Sequence, residues 1–557
     1  MLTIIILLFL TVTHILASSY VEDGKRAELF EIMDTEVPTF RVTVPKEKFE
    51  ELKLALQTPP PTVSVFKDEG DEDVSDAVED NDNVYGVYEF EKIKNATMVV
   101  EINGTEKHFN EVVFDIGGSS ARLYGRQSFN LIIRDKNKDL YGRSQFRIRP
   151  DARDATYLRS KISCDMLNRM GIVSISANYI TLYVNEEYFG FYVFMDAPKL
   201  PWVEQVYGEK DTNNLYKCKE IGAYLSSQCV NENKEITDNT EWNKFITALD
   251  KAQTVEEIED FFDVDQFLYL AAFDYLVGAW DHFFHLGHNF NIYKNKKTGK
   301  WTMVYYDFDS DIGQDPVYID YLNPHPLTDK NYPHYTVRDW FNLQNHLQEI
   351  AVFDNLSRFE SILAEVVNNA FNPALLFPHI DELKEFIRPY ILHDKTPNES
   401  GINPGILNLL NPVDYTMDQW EANSEFTTIN HSLTGSNAYG IKYWILERYR
   451  AVCNHYNLSC DPVYMDENYQ YPIDKKVEGK INVDKWAGMD WSNQNEEPTE
   501  VEEPTENEEP IEIGEQTEVE KPIEEPIDKP TKKSKNIIEL FNDFINYLAN
   551  FMNGIFK

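Results

Sequence analysis

Residues 276–313 read LVGAWDHFFHLGHNFNIYKNKKTGKWTMVYYDFDSDIG, and they carry Asp281, Asn289, Asp307 and Asp309 in that order. Phe290 to Tyr293 and Trp301 to Tyr306 have the aromatic and β-branched content of strands, with KNKKTGK as the turn between them. That pairing predicts a hairpin with Asn289 at one end and Asp307 at the other, so two hard oxygen ligands meet. Trp280–Asp281 is read as the end of an apolar helix, which puts the Asp at the mouth of a core. One carboxylate to orient a hydroxyl, then an amide and a second carboxylate to hold a metal on nucleotide phosphates, is the residue set of phosphoryl transfer.

Other readings of the same stretch weigh against this one. DFDSDIG has the look of a calcium loop, but the sixth position is Ile312 where Gly is needed and the twelfth is Tyr318 where Glu is needed. His282, His285 and His288 recur every three residues, yet Gly287 interrupts any helix that would align them on a transition metal. The acids also suit turns and caps.

Working outward, residues 38–43 alternate as a strand and Lys46 to Leu56 repeats as a helix. Strands are expected at 85–102, 110–116, 127–134 and 144–149, with a Gly/Ser turn at Gly117–Ser120. Thr156 to Met170 reads as a helix ended by Gly171, and 178–196 as strand, turn, strand. After Pro198 helical patterns take over, at 241–252, 255–263, 265–280, 346–370, 374–390 and 438–456. The expected class is α+β and bilobal: a β-rich N-lobe over 19–198 and a helical C-lobe over 199–465 carrying the Asp281–Asp309 segment.

The chain has 557 residues and a formal net charge of −42, which excludes nucleic acid as a natural partner. Residues 68–82 hold nine acids and no base, and residues 496–535 hold fifteen acids and five bases. The first is expected to be a solvated insertion; the second, with EEP at 496, 502, 508 and 524, belongs to an acidic linker over 466–535. So acidic a body must neutralise any bound nucleotide with local cations. Residues 1–18 have the short apolar core and small-residue end of a secretory signal peptide. Six N-x-S/T sequons, at Asn95, Asn103, Asn355, Asn398, Asn430 and Asn457, agree with that route. In an oxidising compartment Cys218 with Cys229 and Cys453 with Cys460 are short-range pairs, leaving Cys164 as a buried thiol. Residues 536–557 place Ile537, Phe541, Phe544, Leu548, Phe551 and Ile555 on one helical face, for a partner helix or a membrane surface.

With those residues in view, the chain resembles the CotH (spore-coat-protein-H-like) kinase family, an atypical protein-kinase-like fold. The motif residues are Trp280, Asp281, Asn289, Tyr293, Gly299, Trp301, Asp307, Asp309 and Gly313. GGSSAR (117–122), DATYLRSKISCDMLNRMG (154–171), NEEYFGFYVFMDAPK (185–199) and GIKYWILERYRAVCNHY (440–456) are similar to further family segments, over roughly residues 36–460. The signal and the CNHY ending look most like the fungal-type branch.

The resemblance implies Asp281 as the catalytic Asp, Asn289 and Asp307 as metal ligands, and Asp309 as a supporting acid. It implies Arg159 or Lys161 as the cation facing the phosphates, and a hinge near Phe194–Ala197, including Asp196, that holds adenine through its backbone. ATP and Mg²⁺ or Mn²⁺ are the implied cofactors. The implied activity is a secreted kinase acting on Ser or Thr of secretory-pathway or surface proteins. A cell-surface adhesin on a degenerate kinase-like fold is the alternative. One departure stands out: where the family often carries a strand Lys, SFNLIIRD has Ile132, with Arg126, Arg134 or Lys161 as candidates to stand in.

Overall fold

The computed structural model describes residues 19–57, 90–118, 120–220, 222–322, 327–341, 345–431 and 435–481. The expected signal peptide, the acidic run at 68–82, most of the linker and the helix at 536–557 lie outside them.

The strands of the first part are β1 (Thr39–Thr43), β2 (Ile93–Ile102), β3 (Thr105–Gly117), β4 (Ser128–Ile133), β5 (Gln145–Arg149), β6 (Ala177–Val184) and β7 (Glu187–Asp196). They close into a barrel in the order β1-β2-β3-β4-β5-β7-β6. Closure comes from β1 pairing parallel with β6, Thr39 opposite Thr181, while the neighbouring pairs run antiparallel. Period-2 alternation decides what goes inside. Phe129, Leu131 and Ile133 of β4, Phe146 and Ile148 of β5, and Tyr192 and Phe194 of β7 fill the barrel.

The other face of β7 is also apolar. Phe191, Val193 and Met195 join a second core with Leu158, Ile162 and Met166 from around helix Arg159–Arg169 and with the helices that follow. One side of the barrel is thereby fastened to the helical part. A four-stranded sheet sits there, ordered β11-β10-β8-β9, from β8 (Leu215–Cys218), β9 (Val230–Asn231), β10 (Phe290–Lys294) and β11 (Trp301–Tyr305). The β10–β11 hairpin is the expected one, with Phe290 opposite Tyr305. Cys218–Cys229 and Cys453–Cys460 are both disulfide-bonded, and Cys164 is a buried thiol.

The mixed α/β character agrees with expectation; the closed barrel is an addition, because β1–β6 pairing joins residues about 140 apart. The helix expected to reach Trp280 stops at Val277. Gly278 adopts φ +71°, and a side chain there would collide with the Trp444 ring. The span 346–370 is broken into His346–Gln348, a π-turn at Glu349–Phe353 and helix Leu356–Asn369. Residues 466–481, expected in the linker, lie against the helical part. Tyr471 stacks on Phe426 with ring centroids 4.5 Å apart, and Lys480 N donates to Asn430 Oδ1 at 2.8 Å. The aromatics Tyr469 and Tyr471 account for this, since they have apolar surface to bury. Among the described residues no helix is long and apolar enough to cross a membrane.

Candidate functional site

Because helix Val264–Val277 ends at Gly278, Asp281 lies in the loop beyond it. Its neighbour Trp280 fixes that loop: the indole donates to Gln314 O at 2.9 Å and stacks 3.8 Å from the Tyr318 ring. Asp281 is 7% exposed. Its Oδ2 accepts from Asn289 Nδ2 at 3.2 Å, and so does its backbone carbonyl. Its Oδ1 is buried and takes no hydrogen bond, although the Ser310 hydroxyl is near enough to favour the charged form.

Asn289 and Asp307 bracket the hairpin, with Tyr306 N donating to Asn289 O at 3.1 Å. Both sit at positive φ, 59° for Asn289 and 103° for Asp307. For Asp307 that is a strained backbone, of the kind a surrounding site has to hold in place. The holding group is His282, whose Nε2 lies 2.6 Å from Asp307 O. A carbonyl oxygen only accepts, so Nε2 carries the hydrogen. On the far side of the ring Nδ1 meets Asp274 Oδ1 at 2.9 Å, and Tyr305 donates to Asp274 Oδ2 at 3.0 Å. Burial opposes a charge on His282, but Asp274 outweighs it and the pKa rises to about 10. The imidazolium therefore donates at both nitrogens. Asp281, Asn289, Tyr306, Asp307 and His282 form a ring of contacts closed by the Asp281–His282 peptide.

Within this ring the carboxylates differ. Burial raises the pKa of Asp281, partly offset by His282 and Arg153. Asp307 opens outward, its side chain 34% exposed, with Arg147 Nη2 3.5 Å from its Oδ2. Asp309 is held aside: Arg153 Nη2 donates to its Oδ1 at 3.0 Å and to Ser310 Oγ at 2.5 Å. The three histidines diverge. His282 faces Asp274 and Asp307, His288 Nδ1 meets Lys219 O at 3.3 Å, and His285 is buried near Trp340 and Phe341 with neither ring nitrogen hydrogen-bonded.

The remaining expected residues are occupied inside the protein. The Arg159 guanidinium binds Asp154, Asn423 Oδ1 at 3.1 Å and Tyr439 O at 2.8 Å. Lys161 Nζ is 2.8 Å from Asp165 and 3.3 Å from Asp34. Asp196 ends β7, where Oδ1 accepts from Arg143 at 2.7 Å and Oδ2 from Ser176 N at 3.2 Å. The structure thus joins Asp281, Asn289 and Asp307, sets Asp309 beside them through Arg153, and brings none of Arg159, Lys161 or Asp196 into contact with that ring. The Lys161–Asp165 pair was readable, since the two stand four apart on a helix. Asp151 was not singled out. It lies past β5, buried at φ +41°, with Oδ2 taking no hydrogen bond, and burial with Asp309 nearby pushes its pKa well up. Among the described residues no cluster of three or more His, Cys, Asp or Glu could hold a metal alone.

The profile of the family described as CotH kinase protein matches residues 114–425. Among curated proteins, the chain is 24% identical over 381 residues to Invasin CotH3 of Rhizopus delemar, covering 63% of this chain and 60% of that protein. It is 24% identical over 337 residues to Spore coat protein homolog 1 of the same organism, covering 57% and 52%. It is 22% identical over 301 residues to Inner spore coat protein H of Bacillus subtilis, covering 50% and 76%. The chain thus spans a little over half the length of the first two. Among solved structures it matches the Helicobacter pylori proinflammatory kinase CtkA at 13% identity and a TM-score of 0.21, covering 48% of this chain and 89% of that one.

Proposed function

The chain belongs to the CotH kinase protein family, and from that premise we propose that it is a secreted or surface-held phosphotransferase. It moves the terminal phosphate of ATP to a Ser or Thr hydroxyl of a protein. The observation that carries this reading is Asp281: a buried carboxylate with one oxygen fixed by Asn289 and the other left without a hydrogen bond. A burial cost of that kind is retained where a group must receive something.

The residues present fit a divalent cation shared with nucleotide phosphates. Asp307 offers an accessible carboxylate. The Asn289 NH₂ is used on Asp281, which leaves its amide oxygen as the ligand atom. Too few protein ligands gather for a self-sufficient metal cage, as suits an ion that takes most of its shell from water and phosphate. Mg²⁺ or Mn²⁺, when bound, neutralises charge on the transferring phosphate.

Asp281 accepts a hydrogen bond from the acceptor hydroxyl and aligns it for attack, and its raised proton affinity suits it to take that proton. Asn289 holds the Asp281 carboxylate in place. His282 holds Asp307 in its strained conformation, so the ligand oxygen is aimed before anything binds. Asp309, steadied by Arg153, supplies negative potential beside the site.

The test is phosphate incorporation from labelled ATP. Asp281→Ala and Asp307→Ala are each expected to lose about 100-fold or more while keeping the parent's circular dichroism. Labelling equal to the parent in both would remove the proposal.

The names of two relatives, Invasin CotH3 and Invasin CotH2, support a second reading, a surface adhesin on the same fold. A metal-dependent thermal shift with ATP favours the first reading. No shift at millimolar ATP, together with saturable binding to host cells, favours the second.

A further inference from the structure

We propose that the disulfide-closed loop Cys218–Cys229 is a clamp that positions the segment carrying Asp281 and Asn289, with Tyr224 as its positioning residue. This rests on the phosphotransferase reading, through the role given there to Asn289.

From Gly278 to Asn289 the chain forms neither helix nor strand. Backbone polar groups in such a loop need partners from elsewhere. The 219–224 stretch supplies several of them. Gly222 N donates to Leu286 O at 2.7 Å, and Tyr224 N donates to Gly287 O at 3.0 Å. The Tyr224 hydroxyl donates to His285 O. Three successive carbonyls are thus taken by two residues of one loop. The Tyr224 ring also covers Gly287, which sits at φ +63°, where a Cβ would come within 2.6 Å of that ring. The same ring meets Phe283 edge-on, with centroids 6.0 Å apart.

The clamp itself is held at both ends. Cys218 closes β8 opposite Phe290 of β10 and is disulfide-bonded to Cys229. The Trp242 indole donates to Ser226 O at 3.3 Å and fixes the far arm. Between these points Tyr224 and Leu225 adopt φ +40° and +61°. Backbone of that kind persists where the surroundings enforce it. A cross-link that limits the loop's freedom is one such constraint.

The loop reaches Asn289 through His288, whose Nδ1 lies 3.3 Å from Lys219 O. A carbonyl oxygen only accepts, so Nδ1 carries the hydrogen. Nε2 is then the acceptor facing Asn289 Nδ2 at 3.4 Å. The Asn289 NH₂ is turned toward His288 and Asp281, which leaves the amide oxygen for a metal. Partners one step behind a metal ligand set its aim, and losing them lowers metal affinity. The other disulfide has a different setting. Cys453–Cys460 ties the end of helix Ile441–His455 to the stretch after it, where Leu458 N donates to Cys453 O and Asp461 N to the Tyr449 hydroxyl.

The experiment uses the full chain and two readings: the Mg²⁺ concentration for half-maximal phosphate transfer from ATP, and hydrogen exchange of backbone amides. Tyr224→Ala keeps the disulfide, and Cys218→Ala with Cys229→Ala removes it. Each should need about tenfold more Mg²⁺ and exchange faster at residues 282–289, with the barrel strands unchanged. Tyr224→Phe, which loses only the hydroxyl, should shift the same way by less. Cys453→Ala with Cys460→Ala should keep the parental Mg²⁺ demand even where it melts earlier. Parental Mg²⁺ demand in both Tyr224→Ala and the Cys218 and Cys229 double variant would overturn the proposal while leaving the phosphotransferase reading intact. Faster exchange throughout the body at parental Mg²⁺ demand would overturn it too, because the loop would then be a general staple. Absence of transfer in the parent at any Mg²⁺ concentration would remove the phosphotransferase reading, and this inference with it.

Discussion

Two buried carboxylates on the helical side of the barrel are treated in opposite ways. Asp165, on helix Arg159–Arg169, is surrounded by cations: Lys161 Nζ at 2.8 Å, His379 Nε2 at 2.9 Å and Arg26 Nη1 at 3.4 Å. Burial pushes its pKa up, but Lys161, His379 and Arg26 more than reverse that and hold it well below the usual carboxylate range. Asp281 keeps one oxygen on an amide and one without a hydrogen bond, and burial leaves its pKa raised. The first arrangement ties the N-terminal segment, the helix and helix Pro373–Asp394 together. The second keeps capacity in reserve. On the reading proposed for Asp281, satisfaction more than burial is what separates these two acids.

The largest effect expected from this contrast falls on stability at Asp165. Asp165→Ala takes the buried carboxylate away from Arg26, Lys161 and His379 and leaves Asp34 beside the first two, and should cost about 3–5 kcal/mol in denaturant unfolding. The Asp165 contribution is present above the unfolded carboxylate pKa and lost as pH falls through the lower folded one. A loss under about 1 kcal/mol would mean the cluster is no more than a surface pair.

His285 gives the next effect. Burial lowers its pKa to about 3, so between there and its ordinary value near 6.5 only the unfolded chain binds the proton. Stability tied to it is complete above that ordinary value and drains away as pH falls. His285→Phe should therefore gain about 2 kcal/mol at pH 5 and little at pH 8. An equal change at both would show that packing, not titration, governs the site.

Cutting the chain at its end gives a smaller effect. Relative to a chain ending at residue 481, one ending at residue 465 also loses the stacking of Tyr471 on Phe426 and should be less stable by about 1–2 kcal/mol. Equal melting temperatures would show that the 466–481 strap adds nothing. The smallest effect is at Asp281 itself. Because its folded pKa is raised, ionised Asp281 weakens the fold as pH climbs through that value. Asp281→Asn should melt at or slightly above the parent at pH 8; a clear drop would place Asp281 with Asp165 among the structural acids.

Local pattern made much of this readable. The hairpin, its turn and the juxtaposition of Asn289 with Asp307 follow from strand composition and one Gly-containing turn, all within 19 residues. Helix Lys46–Leu56 and the β6–β7 pair were equally local. What escaped depends on distant partners. Barrel closure needs Thr39 beside Thr181. The early stop at Val277 depends on Trp444, and the short strand β8 gains its place by pairing with β10 on one side and β9 on the other. Arg147 is invisible in QFRIR until the barrel shows which face looks at Asp307. The Asp274–His282–Asp307 chain escaped for the same reason, since the His was legible as a loop residue and its partners were not.

The most direct measurement pairs Asp281→Asn with the parent, following phosphate transfer from labelled ATP and ATP–Mg²⁺ affinity on the same samples. The account predicts that transfer falls about 100-fold or more while affinity stays within about threefold of the parent. Transfer at the parental rate would contradict it, because Asp281 would then have no part in the chemistry.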